Sequence, residues 1–218
     1  MFRPTTTAAR GAASLASASL FICLLSSCDS QRSTIESTPE LSQSSAPTAP
    51  ATTVSFRKEL AADDLRFLVQ TTGEGSSRQL SVRAEKNGRE LTTTTQALDG
   101  TVTDAVVTNL NEDKYPELLV FVRDAGTGSY GQLVGYEFMN QGRKPVALPA
   151  LRGKAATGYQ GHDEFRIEGR ELLRTFPVFQ EADANCCPSG GKRTVRYQLA
   201  GTGLTFQQLT FADDLSAK

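Results

Sequence analysis

From about Val54 onward, apolar residues alternate with polar ones at a period of two, and turn pairs interrupt the alternation at short intervals. No other feature constrains the fold as strongly, because a period of two buries one face of a strand and cannot line one face of a helix. Leu80, Val82 and Ala84 alternate in RQLSVRAEK, Asn87-Gly88 offers a type I′ hairpin turn, and Thr-rich RELTTTTQ follows. Asp99-Gly100 is a second turn signal. TDAVVTNL, ELLVFVRD, QLVGYEFMN, EFRIEG, ELLRTFPVF, RTVRYQLA and LTFQQLTF come after it, with Glu168-Gly169-Arg170 and Gly201-Thr202-Gly203 as tight links. The pattern predicts an all-β fold, an antiparallel β-sandwich of roughly eight to ten short strands. Only AADDLRF and VALPALRG could supply a helical turn, and no internal repeat is visible.

The first 53 residues are of another kind. Residues 1–14 hold Arg3 and Arg10 and no acid, and an apolar stretch, LASASLFICLLSS, follows at 15–27. At about 13 residues it is short of the ~20 that a membrane-spanning helix needs. A basic start, an apolar centre and then small residues make a secretory signal. Leu25-Ser26-Ser27-Cys28 resembles the bacterial lipobox, in which the cysteine is diacylated and becomes the new N-terminus; a plain signal peptide cut at Ser26-Ser27, with Cys28 incidental, is the alternative. Residues 29–53 are Ser, Thr, Pro and Ala with almost no apolar periodicity, so they read as a flexible stalk. The expected organisation is a signal peptide over 1–27, a lipidated N-terminus and linker over 28–53, and a sandwich head over 54–218. The place of action is then the periplasmic side of a bacterial membrane, with inner or outer membrane left open.

Charge and rare residues exclude several functions. Lys plus Arg number 23 against 24 Asp plus Glu, for a formal net charge of −1. A nucleic-acid binder would carry a basic excess. The lone histidine, His162, excludes a multi-histidine metal site. Cys23, Cys28, Cys186 and Cys187 are too few and too poorly spaced for a disulfide scaffold or a zinc module. Adjacent cysteines have Cα atoms only ~3.8 Å apart, which strains a ring between them. In an oxidising compartment a vicinal Cys186–Cys187 disulfide is still the expectation, with free thiols as the alternative.

DAGTGSYGQLVGY contains a literal G-x-G-x-x-G from Gly126 to Gly131, but QLVGYEF after it is strand-like, where a dinucleotide site needs a helix. The serine of a nucleophile elbow has Gly two positions before it, and Ser129 has Thr127 there, in a chain that is not α/β. Asn109, Asn111, Asp113 and Glu117 form a spaced oxygen set similar to the calcium hairpins of β-propellers. Only two of the four are charged and the set occurs once, so an Asx-type turn leading into ELLVFV is the favoured reading. No cofactor and no metal are expected.

Five blocks carry a family resemblance: TNLNEDKYPELLVFV, GTGSYGQLVGY, GYQGHDEF, LLRTFPVFQEADAN and PSGGKRTVRYQL, in this order between residues 108 and 199. The set resembles the bacterial periplasmic inhibitors of invertebrate-type lysozyme. The resemblance implies a small antiparallel β-sandwich, often dimeric, that performs no chemistry and inserts a Ser-Gly-x-Tyr loop into the lysozyme cleft. The motif falls on Thr127, Gly128, Ser129 and Tyr130, with Thr in place of the first Ser. A lysozyme cleft holds two carboxyl groups. Hydroxyls on Thr127 and Ser129 can donate to them, and Tyr130 offers a large anchor with few rotors. Tyr159, His162 and Asp163 in GYQGHDEF are the secondary contact candidates, with a structural turn as the alternative. The expected partners are lysozyme, the membrane through Cys28 and a second copy, with no nucleic acid. The competing function is a non-catalytic envelope module that binds calcium, glycan or protein on the same fold without inhibiting lysozyme.

Overall fold

The run Leu118 to Val122 has no polar residue, so neither face of that strand can meet water. The computed structural model, which describes residues 52–200 and 203–215, shows how both faces are covered. The described residues belong to one compact unit, Thr48–Lys218. The expected signal peptide, Cys28, nearly all of the linker and the Gly201-Thr202 link lie outside the described residues.

Twelve strands follow in chain order: β1 (Val54–Ala62), β2 (Leu65–Thr72), β3 (Ser77–Lys86), β4 (Arg89–Asp99), β5 (Thr101–Thr108), β6 (Glu117–Arg123), β7 (Gly131–Met139), β8 (Gly142–Val146), β9 (Glu164–Glu168), β10 (Glu171–Pro177), β11 (Lys192–Ala200) and β12 (Thr205–Asp214). They pair antiparallel, each with its chain neighbour, into three four-stranded sheets: β1–β4, β5–β8 and β9–β12. The β5–β8 sheet lies in the middle. From one face Leu118, Val120, Val122, Tyr136 and Phe138 pack against Phe67, Val69, Leu80 and Val82 of the first sheet. From the other, Leu119 and Phe121 pack against Leu172, Phe176, Val195, Tyr197 and Phe206 of the third. Phe67 meets Phe138 edge to face at 4.8 Å, and Phe121 stacks on Phe165 at 5.3 Å. The antiparallel all-β sandwich expected from the alternation is thus the fold, with three layers and twelve strands.

The additional strands are β1, β2 and β8. AADDLRF is not helical. Asp63 takes a left-handed φ of 50° and closes a tight β1–β2 hairpin, which lets Leu65, Phe67 and Val69 bury alternately. The Asn87-Gly88 turn forms between β3 and β4, with φ of 52° and 74°. In VALPALRG only the last residue is helical, where Gly153 opens the 3-10 turn Gly153–Ala156.

One row across the middle sheet is polar. Register places Thr108, Glu117, Glu137 and Lys144 side by side on β5 to β8. Glu117 and Glu137 are both buried. Glu117 Oε2 accepts from the Thr108 hydroxyl at 3.0 Å and from Leu110 N–H at 2.9 Å, while its Oε1 is buried without a partner. Burial pushes both carboxyl pKa values up, and the neighbouring Glu137 adds to the shift at Glu117. The folded state therefore holds a proton that the unfolded chain releases near 4.5. Stability contributed by the protonated form is lost as pH rises through the raised folded value. Glu117→Gln keeps an acceptor for Leu110 N–H and removes one titration. It should raise stability at about pH 8 by on the order of 1 kcal/mol and change it little at about pH 3.5, below the ordinary carboxyl value. Urea denaturation at the two pH values reads this; an equal effect at both would place the proton elsewhere.

Candidate functional site

Three connections meet at one end of the sandwich: the β6–β7 loop (residues 124–130), the segment before β9 (157–163) and the loop between β10 and β11 (178–191). The first is built around a carboxylate. Asp124 Oδ1 accepts from Gly126 N–H at 3.1 Å and from Tyr130 N–H at 3.0 Å. Asp124 N–H donates to Tyr130 O at 3.0 Å, and Ser129 N–H to Gly126 O at 2.9 Å. Ser129 sits at a left-handed φ of 45°, an uncommon conformation for a side-chain-bearing residue. Thr127 and Tyr130 are exposed, Tyr130 at 42%, and Ser129 is half-buried.

The second segment docks onto this loop through backbone. His162 N–H donates to Gly128 O at 2.8 Å. Gly161, at φ 93°, lies so close that a Cβ there would sit 1.9 Å from the Gly128 oxygen. Only glycine fits both the conformation and the contact. Gly131 N–H donates to Asp163 Oδ2 at 2.6 Å, and a Cβ on Gly131 would fall 2.5 Å from the Asp163 Cβ.

Below the contact lies a buried ion pair. Asp163 has a fully buried side chain and accepts from Gly131 N–H, from the Tyr159 hydroxyl at 2.6 Å and from Arg174 Nε at 2.6 Å. Arg174 Nη2 also donates to the Tyr159 oxygen, and its guanidinium lies 4.8 Å from the Tyr159 ring centre. Burial opposes the Arg174 charge, but the bond to Asp163 and its charge outweigh this, so the pKa is raised. Burial, followed by the bond to Asp163, pushes the Tyr159 phenol up as well, so it stays protonated. The Tyr130 ring rests edge-on against Tyr159 at 5.6 Å. A chain of contacts therefore runs from Arg174 through Tyr159 to the exposed Tyr130.

The remaining supports are local. Arg193 Nη1 donates to the carbonyls of Lys154 and Thr157 at 2.9 and 2.8 Å, while its Nε reaches Asp213 at 2.6 Å. That ties the 3-10 turn, and the segment after it, to the third sheet. Phe179 N–H donates to Gly158 O at 2.8 Å, and the exposed His162 ring lies parallel to Phe179 at 6.5 Å. Asp183 closes the third loop by accepting from Gln180 N–H, Ser189 N–H and the Ser189 hydroxyl, which together hold its pKa low.

The sequence-derived candidates fall into two groups. Thr127, Gly128, Ser129 and Tyr130 form the outer loop, and Tyr159, His162 and Asp163 lie against it. Within the second group only His162 is exposed; Asp163 is interior and Tyr159 half-buried, so these two support the loop from behind. Cys186 and Cys187 lie exposed in the third loop as free thiols. The neighbouring Cys186 pushes the Cys187 thiol pKa up.

Asn109, Asn111, Asp113 and Glu117 bond to their own surroundings. Asn109 Nδ2 donates to Asp113 O at 2.7 Å, and Asn111 Nδ2 to Asp113 Oδ2 at 3.2 Å and Glu137 Oε2 at 3.0 Å. Asp113 N–H returns to Asn111 Oδ1, and Tyr115 N–H to Asp113 Oδ1, as Asx-type turns. Among the described residues no three His, Cys, Asp or Glu side chains gather into a metal site.

A strand, β7, follows Gly131, so the glycine pattern opens no helix. Two residues that hold the site, Asp124 and Arg174, were missed by sequence reasoning. Arg174 had a signal: it takes a core-facing position between Leu172 and Phe176, where an arginine needs a buried partner.

Removing one member of the ion pair leaves the other charged and buried. Asp163→Ala should cost about 3–5 kcal/mol, and Asp163→Ala with Arg174→Met should cost less than Asp163→Ala alone. Urea denaturation of the two variants measures the difference; a double variant as unstable as the single would mean the pair is not the cause.

No protein-family model, no curated protein and no solved structure matches the chain.

Proposed function

We propose that this chain is a lipid-anchored envelope protein that inhibits lysozyme, the invertebrate type first, by inserting the Gly126–Gly131 loop into the enzyme's active-site cleft. One observation carries the reading: an exposed tyrosine tips a loop whose neighbouring backbone groups are bonded inward. The N–H groups of Gly126, Ser129, Tyr130 and Gly131 all have partners within the head. Little ordering entropy remains to be lost on association. A large aromatic that is held rigidly and still exposed suits an interface anchor.

The chemistry offered to a partner is simple. The exposed Thr127 and half-buried Ser129 carry hydroxyls able to donate to carboxyl oxygens. Tyr130 supplies area. His162, pinned beside Gly128, extends the same surface. The ordered sequence blocks that resemble the inhibitor family place their motif on this loop. The protein itself performs no reaction; it occupies the groove in which the target would bind its glycan. Cys28 would hold the head at the membrane through two or three acyl chains, which anchor far more firmly than one.

Wall lysis by invertebrate-, chicken- and goose-type lysozymes, followed with the purified full chain added, tests the reading. Inhibition is expected for at least the invertebrate type; no inhibition of any type at micromolar excess would end the proposal. Tyr130→Ala should weaken binding by at least ~2 kcal/mol, about thirtyfold in Kd, and by more than it lowers stability, because the ring is exposed. An unchanged Kd would move the anchor elsewhere. Cys28→Ala should release the protein from membrane to soluble fractions on cell fractionation; retention at the membrane would refute lipidation.

A further inference from the structure

The edge of the third sheet carries an opening that the loop cluster does not use. Segment 147–152 starts as a parallel companion of β12: Ala147 N–H donates to Leu204 O at 2.9 Å, and Ala147 O accepts from Phe206 N–H at 2.8 Å. In a parallel ladder the next rung falls two residues further on, where the residue donates to Phe206 O and accepts from Gln208 N–H. That residue is Pro149, which has no N–H to give. The rung is not made. The segment next touches β12 at Arg152, whose N–H donates to Gln208 Oε1 at 3.1 Å and whose carbonyl accepts from Gln208 Nε2 at 3.2 Å. Between the two attachments lies a cavity of about 420 Å³ lined by Pro149, Ala150, Arg152, Phe206, Gln207 and Gln208. Phe206 N–H points toward the segment, so Phe206 C=O and Gln208 N–H lie on that same edge.

We propose that this slot binds the C-terminal end of a short peptide with small side chains, added to β12 as a parallel strand with its carboxylate on Arg152. An extended amino-acid residue presents its N–H and C=O on one side, at the spacing that Phe206 C=O and Gln208 N–H require. A lone planar amide, such as an acetamido group, directs them to opposite sides and satisfies only one. A single residue that bonds both Phe206 C=O and Gln208 N–H runs parallel to β12, which sends the peptide's C-terminus toward Arg152. Arg152 is exposed, and its guanidinium has no ion-pair partner among the described residues. A guanidinium fork matches a carboxylate. At about 420 Å³ the cavity takes about two or three small residues and is crowded by three large ones.

The test is an NMR titration of the purified full chain with N-acetylated trialanine. Saturable shifts of the Gln208 and Phe206 amides are expected, with Kd in the millimolar range. The C-terminal amide of the same peptide, the form N-methylated at the residue opposite Gln207, and trileucine should each bind about tenfold more weakly or worse. Arg152→Ala should reduce affinity for the acid to that for the amide and leave the amide's affinity unchanged. Pro149→Ala supplies the missing N–H, lets the segment complete its own rung and weakens the peptide. No saturable shift at Gln208 up to ~10 mM, equal binding of the N-methylated peptide, or equal loss of acid and amide in Arg152→Ala would each overturn the proposal. Lysozyme inhibition by the slot variants should match that of the unaltered chain, so the slot and the inhibitory loop stand or fall separately.

Discussion

β6 is buried on both faces, and the layering of the head depends on that. A sandwich of two sheets leaves each sheet one wet face, which suits alternating sequences such as β2 and β3. Leu118 to Val122 does not alternate, so it needs a sheet on either side. The first sheet covers Leu118, Val120 and Val122, and the third covers Leu119 and Phe121. The ends of β6 are therefore the places where polar groups must be managed at the margin of two cores. At its start, Glu117 is met by Leu110 N–H and the Thr108 hydroxyl. At its finish, Asp124 turns back to hold the loop. β6, buried on both faces, thus delivers the loop to the surface with a carboxylate at its base.

Two carboxylates fix that loop by different means. Asp124 acts locally, gathering Gly126 and Tyr130 N–H within six residues of chain. Asp163 acts across the fold, joining Gly131 at the loop's exit to Arg174 in the third sheet. A buried ion pair is seldom the most stable filling for a core, because desolvating two charges offsets much of their attraction. Here the pair also orients Tyr159 and caps a backbone N–H that would otherwise be buried unpaired. Its geometry, more than its contribution to stability, accounts for an arginine among Leu172, Phe176 and Val195.

Periodicity made most strands legible, because burial on one side writes itself into every second residue. Asn87-Gly88 was legible for the same local reason: left-handed φ at both positions needs those residue types. β1 and β2 were obscured by Asp63-Asp64, whose charges resemble a helix start and in fact sit in a hairpin turn. The strand β8 is short and contains Pro145, which suits an edge and weakens any strand signal. Thr127 to Tyr130 were singled out only by what the resemblance of the five sequence blocks implies, and the docking of Gly161 on Gly128 could not be read at all. That contact joins residues more than thirty positions apart, and no local pattern encodes it. The same holds for Asp163, which looked like a surface group in GYQGHDEF and is interior because Arg174 reaches it from β10.

The edges of the three sheets show how the fold limits unwanted pairing, and where it relents. A long unpaired edge strand is a template for another chain. β12 is shielded over its first half by segment 147–152, which bonds at Ala147 and again at Arg152. The shield is interrupted by a proline, the one residue type that cannot donate from its backbone. Had that position carried any other residue, the segment could have lain flat along β12 and closed its edge. Proline instead holds the segment off over a few residues, at the cost of the two hydrogen bonds of one rung and with a cavity beside it. An interruption that keeps the edge guarded at both ends and open between them restricts what can enter by length and by side-chain size, which a fully exposed edge would not do.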